Sequence, residues 1–166
     1  MPDTQENLET AFAGESQANR KYLAYAKQAE KDGFPNVGKM FRAIAEAETI
    51  HAHAHLRAMG KIHSTLENLE DAKNGEHYEI LQMYPPMIDQ AKKEGHKQGE
   101  RTTSFALEAE KGHEVLYEKA INAVKTKKDI NNKDFYVCPV CGFTMEPEPP
   151  DNCPVCKAKK ELFIKF

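Results

Sequence analysis

The chain has 166 residues, 30% of them charged, and a net charge of −3, enough for one substantial core and a small appendage. The balanced charge offers no basic stripe and excludes nucleic acid as a partner class. No apolar run approaches the roughly 20 residues of a membrane span, so no membrane partner is expected.

Met1-Pro2-Asp3-Thr4-Gln5-Glu6 has none of the features of a signal peptide, and the expected compartment is the cytoplasm. From about Asn7 to Lys127 the pattern is helical, beginning with Leu8, Ala11, Phe12, Glu15 (the polar exception), Ala18, Tyr22 and Ala26, mostly at three- and four-residue steps. Asp32-Gly33-Phe34-Pro35-Asn36 breaks the first helix from the second, and Gly60-Lys61 ends the second. Ser64-x-x-Glu67 reads as a capping box opening a third helix, which Glu94-Gly95 closes; a fourth runs from about Lys97 to Lys127. A polar connector spans 125–133. The composition then changes, with five prolines and all four cysteines after Asp134. This predicts residues 1–133 as a four-helix bundle and 134–166 as a small, β-rich, metal-clamped domain.

The helical part is a duplication. Gly14-Glu15, Tyr22, Gln28-Ala29 to Gly33 and Glu46-Ala47-Glu48-x-x-His51 recur as Gly75-Glu76, Tyr84, Gln90-Ala91 to Gly95 and Glu108-Ala109-Glu110-x-x-His113. The offset is 61 residues at the first pair and 62 thereafter. Glu48 and His51, Glu76 and Glu79, and Glu110 and His113 are each three residues apart, so each pair shares a helix face and can converge on one ion. With 19 Glu and 7 His, about one Glu-x-x-His is expected by chance, so the matched register carries the reading and the count does not. Glu15 adds a carboxylate among Ala and Phe residues, where an unpaired charge is costly. Two upstream glutamates and two Glu-x-x-His pairs form the ligand set of a dimetal site in a ferritin-like bundle, suited to non-haem iron or manganese. Tyr22 and Tyr84 lie near these ligands, either as core rings or as hydrogen-bond partners of metal-bound carboxylates. His53, His55, His63, His77 and His96 lack matched roles and read as surface residues. Glu46 and Glu108 recur in both copies but fall on another face, and a salt bridge at an interface is expected for them.

Cys138-Pro-Val-Cys141 and Cys153-Pro-Val-Cys156 enclose eleven residues and form a tetrahedral four-sulfur signature. Zinc and iron take the same ligands. A one-electron iron relay has a task beside an oxidisable dimetal site, whereas a zinc ribbon has none. Tyr136, Phe143 and Phe163 are expected around this cluster. Lys157 stands where a Gly would ease the second knuckle.

A ferritin-like bundle sets its second and third helices parallel, joined by a long crossover. Residues 61–64 reach only about 14 Å, against roughly 32 Å required. A domain-swapped homodimer is therefore expected.

Along nearly its full length the chain resembles the rubrerythrin family, through Ala11-Phe12-Ala13-Gly14-Glu15-Ser16, Met83-Tyr84-Pro85 and the cysteine knuckles. The resemblance implies a diiron centre with core carboxylates Glu15, Glu48, Glu79 and Glu110, of which Glu48 and Glu79 bridge the irons. His113 would ligate the second iron, and the first would exchange Glu76 for His51 with oxidation state. Cys138, Cys141, Cys153 and Cys156 would hold one iron. The implied activity is reduction of hydrogen peroxide to water, fed by a donor such as rubredoxin or an NAD(P)H-dependent reductase. Head-to-tail dimers would set one subunit's four-cysteine iron near the other's diiron site. The alternatives are a ferroxidase, which needs no re-reduction by a fused cysteine domain, and a non-enzymatic zinc-ribbon module.

Overall fold

The computed structural model describes residues 2–131 and 134–166, and its packing separates two units, Met1–His63 and Ser64–Phe166. The expected boundary between residues 133 and 134 adjoins residues outside the described ones.

The first unit is a hairpin of α1 (Thr4–Lys31) and α2 (Pro35–Ala58). Asp3 accepts the Glu6 amide and Glu6 accepts the Asp3 amide, a reciprocal cap that starts α1 a turn earlier than apolar periodicity suggests. Gly33, at φ 87°, and Pro35 in the first turn of α2 make the reversal. The seam is built from small residues. Ala26, Ala45 and Ala52 are buried, and a Cβ on Gly38 would stand 3.1 Å from the Ala26 carbonyl oxygen. Asn19, also buried, crosses the seam to the Ala45 carbonyl (2.6 Å) and the Thr49 hydroxyl (2.7 Å). Val37, Met40 and Ile44, a stripe at three- and four-residue spacing, stay exposed on α2.

The second unit sets α3 (Thr65–Tyr78) and α4 (Tyr84–Lys93) along α5 (Lys97–Lys125), with Ile88, Ala91, Ala109 and Ile121 buried. Ser64 and Glu67 form the expected capping box. Between α3 and α4, Glu79–Met83 form a π-helical turn in which the Tyr84 amide donates to the Glu79 carbonyl, five residues back. This turn absorbs one extra residue, which explains why the repeat offset steps from 61 to 62 between Glu76 and Tyr84. Pro85 and Pro86 lack amides that would otherwise close ordinary helical bonds there.

The tail forms an antiparallel sheet in the order β2-β1-β3, from β1 (Tyr136–Val137), β2 (Thr144–Met145) and β3 (Ile164–Lys165). Tyr136 pairs with Met145 on one side and Lys165 on the other. Within this unit β2 packs on α5: a Cβ on Gly112 would lie 3.1 Å from the Phe143 ring and 3.5 Å from the Thr144 carbonyl oxygen. Counting α3, its π-turn and α4 as one helix, the class is the expected one, four ferritin-like helices followed by a small β-rich unit.

Candidate metal centres

Each hairpin gathers half of the expected ligand set. In the first, ligand atoms of Glu15 on α1 and of Glu48 and His51 on α2 lie within 4.8 Å of one another. His51 Nδ1 is 3.1 Å from Glu48 Oε2. A hydrogen bond shared with Glu48, then burial, pushes the Glu15 carboxyl above the ordinary range. In the second, Glu76 on α3 meets Glu110 and His113 on α5 within the same limit. Burial, with the hydrogen bond and charge of Glu110 and the charge of Glu79, pushes Glu76 up to about 8. Burial and then the charge of Glu110 also raise Glu79, at the start of the π-turn. Carboxyls crowded like this hold protons or a cation.

The hydrogen-bond pattern around His113 assigns its tautomer. The Thr144 hydroxyl donates to the Gly142 carbonyl at 3.1 Å, leaving its oxygen to accept from His113 Nε2 at 3.0 Å. Nδ1 faces the carboxylates, 2.6 Å from Glu110 Oε2 and 3.8 Å from Glu76 Oε1. An imidazole nitrogen among carboxylate oxygens is a donor set that suits a divalent or trivalent cation.

Tyr84 is half-buried beside this cluster. Burial and the charges of Glu79, Glu110 and Glu76 raise its phenol. Tyr117 has the same environment, raised by burial and by Glu76 and Glu110, and was not foreseen. Its signal was present: it follows Glu110 by seven residues, two turns along one face, as Tyr22 follows Glu15. Tyr22 itself packs its ring on Tyr25 and Phe41, at centroid distances of 6.3 and 6.1 Å. His55, expected at the surface, is half-buried and adds its charge to the field at Glu15. His77 pairs with Glu114 at 2.8 Å, and His96 caps α5 by accepting the Gly99 amide. Glu108 pairs with Lys111 on its own helix.

The four cysteines are free thiols and converge, with Cys138 Sγ 3.5 Å from Cys156 Sγ and Cys141 Sγ 3.6 Å from Cys153 Sγ. The edge of a tetrahedron with metal–sulfur bonds of about 2.3 Å is about 3.8 Å, so the donor set fits one tetrahedral ion. Burial pushes the Cys141 and Cys156 thiols up. At Cys138 burial also acts upward, but the amides of Val140 and Cys141 outweigh it and hold the thiol below its usual range. Gly142 (φ 79°) and Lys157 (φ 64°) take the left-handed position after each knuckle, and their amides donate to the Cys138 and Cys153 carbonyls. The Lys157 ammonium folds back onto the Pro154 carbonyl at 3.0 Å. Phe143, expected around the sulfurs, lies against Gly112, so the knuckle strand docks on the α5 of its own chain.

A family model described as rubrerythrin matches residues 6–121, and one described as the rubrerythrin rubredoxin-like domain matches 136–164. Rubrerythrin-2 of Clostridium acetobutylicum is 40% identical over 98% of this chain and 96% of its own. Nigerythrin of Nitratidesulfovibrio vulgaris is 32% identical over 98% of this chain and 86% of its own. A solved structure of fully reduced, all-ferrous nigerythrin covers 100% of this chain and 88% of its own, with 31% identity and a TM-score of 0.59. Among the described residues no helix is long and apolar enough to cross a membrane.

Proposed function

This chain belongs to the rubrerythrin family, with its diiron domain and four-cysteine rubredoxin-like site, and we propose that it is a cytoplasmic peroxidase converting hydrogen peroxide to water. Two electrons and two protons per peroxide yield two waters. When bound, a ferrous pair would supply two electrons for reduction of the O–O bond, and an iron held by the four cysteines would supply one electron at a time. The ligands we assign are Glu15, Glu48, His51, Glu76, Glu79, Glu110 and His113 for the pair and Cys138, Cys141, Cys153 and Cys156 for the single ion. Residues 1–133 and 134–166 are the corresponding functional domains.

The chain's own groups divide the remaining work. Glu76 is assigned as a ligand that would exchange with His51; its carboxyl, raised to about 8 in the metal-free site, would take up a proton readily when released from metal and could give it to a departing oxygen. Tyr84 and Tyr117 stay protonated, their phenols raised by burial and by the charges of the neighbouring carboxylates. Thr144 holds His113 in the tautomer that leaves Nδ1 for metal. The active form is a homodimer, fed by a donor such as rubredoxin or an NAD(P)H-dependent reductase.

The observation that carries this reading over a ferroxidase is the docking of the four-cysteine unit on α5 at His113, since oxidising iron for storage needs no such supply of electrons. The test is anaerobic stopped flow of the fully reduced protein. Fast oxidation by one equivalent of hydrogen peroxide is expected, with the ferric-thiolate colour returning only as peroxide exceeds the pair's two electrons. Slow reaction with peroxide but prompt reaction with dioxygen would establish the ferroxidase.

A further inference from the structure

The two cysteine knuckles share the sequence Cys-Pro-Val-Cys and fold alike, bond for bond. The Cys138 amide donates to the Phe143 carbonyl (2.9 Å), and the Cys153 amide donates to the Ala158 carbonyl (2.7 Å). The Gly142 amide returns to the Cys138 carbonyl (2.9 Å), and the Lys157 amide returns to the Cys153 carbonyl (3.0 Å). In each turn a residue in the left-handed region brings the next amide onto a sulfur, Phe143 onto Cys141 and Ala158 onto Cys156. Glycine adopts that conformation freely, whereas a lysine meets a penalty from its own Cβ. The backbone of the second knuckle suits a glycine, and it holds Lys157 instead.

We infer that Lys157 is a charge-tuning residue whose ammonium, folded back on the second knuckle, raises the reduction potential of an iron held by the four cysteines. This rests on the reading of those cysteines as an iron site. Lys157 Nζ is 3.0 Å from the carbonyl oxygen of Pro154, inside the loop that joins Cys153 to Cys156. Two other lysines of this unit are neutralised, Lys160 by Glu148 (2.8 Å) and Lys165 by Asp134 (2.9 Å). Lys157 forms no salt bridge with a carboxylate among the described residues, so its charge is left to act on the knuckle. Glu108, which lines a cleft with Pro154 and Val155, is engaged by Lys111 at 2.5 Å.

The direction of the effect follows from charge. Four thiolates around a ferric ion carry one net negative charge, and uptake of one electron without a proton makes it two. A neighbouring cation favours the more negative, reduced state, so an electron from the external donor is held more tightly. The relay then stands reduced between encounters with peroxide. Lys157 is exposed, so solvent and salt screen much of the attraction and the shift is modest.

The test is an optical redox titration of the ferric-thiolate colour in the full-length, iron-loaded protein. Lys157→Met keeps a long side chain and the strained turn but removes the charge. At a fixed solution potential it should raise the ferric-to-ferrous ratio about threefold, a fall in midpoint potential of about 28 mV at about 59 mV per tenfold. Lys157→Gly should shift the potential as far while raising the melting temperature, and Lys157→Arg should stay at the wild-type value. The differences should shrink as salt is added. A wild-type potential in Lys157→Met overturns the inference. A fall in Lys157→Gly alone would assign the effect to the backbone and overturns it equally. Cysteines that take up zinc and never give the ferric-thiolate colour would sink the iron reading and the inference with it.

Discussion

Glu76 is the residue on which protonation and metal binding compete most directly. Its carboxyl is raised from 4.5 to about 8, so the folded chain binds that proton more tightly than the unfolded one. In metal-free protein its contribution to stability is complete below about pH 4.5 and is lost as pH rises through about 8. Chelator-treated protein should therefore show a melting temperature that falls across that window. Glu76→Gln should flatten the fall, and metal should abolish it by taking the proton's place. A Glu76→Gln chain that keeps the wild-type slope would assign the effect to another group. The clustering of Glu110 and His113 on this face was legible in the sequence because residues three apart on a helix share a face whatever packs beside them. Tyr117 and Thr144 were not singled out. A tyrosine in a helix is more often a core ring than a partner of carboxylates, and Thr144 meets His113 across 31 residues of chain.

At the level of elements, the docking of β2 on α5 depends on the bare Cα of Gly112. One added Cβ would already press Phe143 at 3.1 Å, and overpacking of this kind costs about 1–3 kcal/mol. Gly112→Leu should lower the equilibrium constant for docking by about tenfold, given that tenfold is about 1.4 kcal/mol. The expected result is a cysteine site that keeps its colour but re-reduces the oxidised pair at least several-fold more slowly, with the first oxidation by peroxide unchanged. Equal re-reduction rates would show that docking does not limit the transfer. The π-turn shows how sequence and structure divide the information. The one-residue step in the repeat offset was plain to read, but a repeat can absorb an extra residue in a loop, a bulge or a widened turn. Only the bond from the Tyr84 amide to the Glu79 carbonyl shows which was used. Helix limits followed capping chemistry, as at Ser64 and Glu67, and the missed start at Thr4 came from a cap formed by Asp3, outside the apolar pattern.

For the whole molecule, the short connector is the variable to change. Adding about twenty Gly/Ser residues after Lys61 supplies an r.m.s. span of about 25 Å, close to what one chain needs to close its own bundle. At low concentration this variant should populate a monomer that retains the diiron absorbance, as read by sedimentation with detection in the visible. Retention of the absorbance only in dimers would mean that connector length is not what joins the copies. Fold class and ligand types followed from the sequence because duplication and the cysteine spacing are local patterns repeated in register. Which copy completes which site is a property of reach, and the expectation of exchange rests on the few residues between Gly60 and Thr65.

His113 and the knuckle strand that touches it through Thr144 lie in the same unit of the same polypeptide. Whichever copies associate, the contact between the cysteine unit and His113 is made within one chain. Changes confined to the first hairpin would therefore leave that contact as it is, and the join between cysteine unit and α5 can be kept or lost independently of residues 1–63.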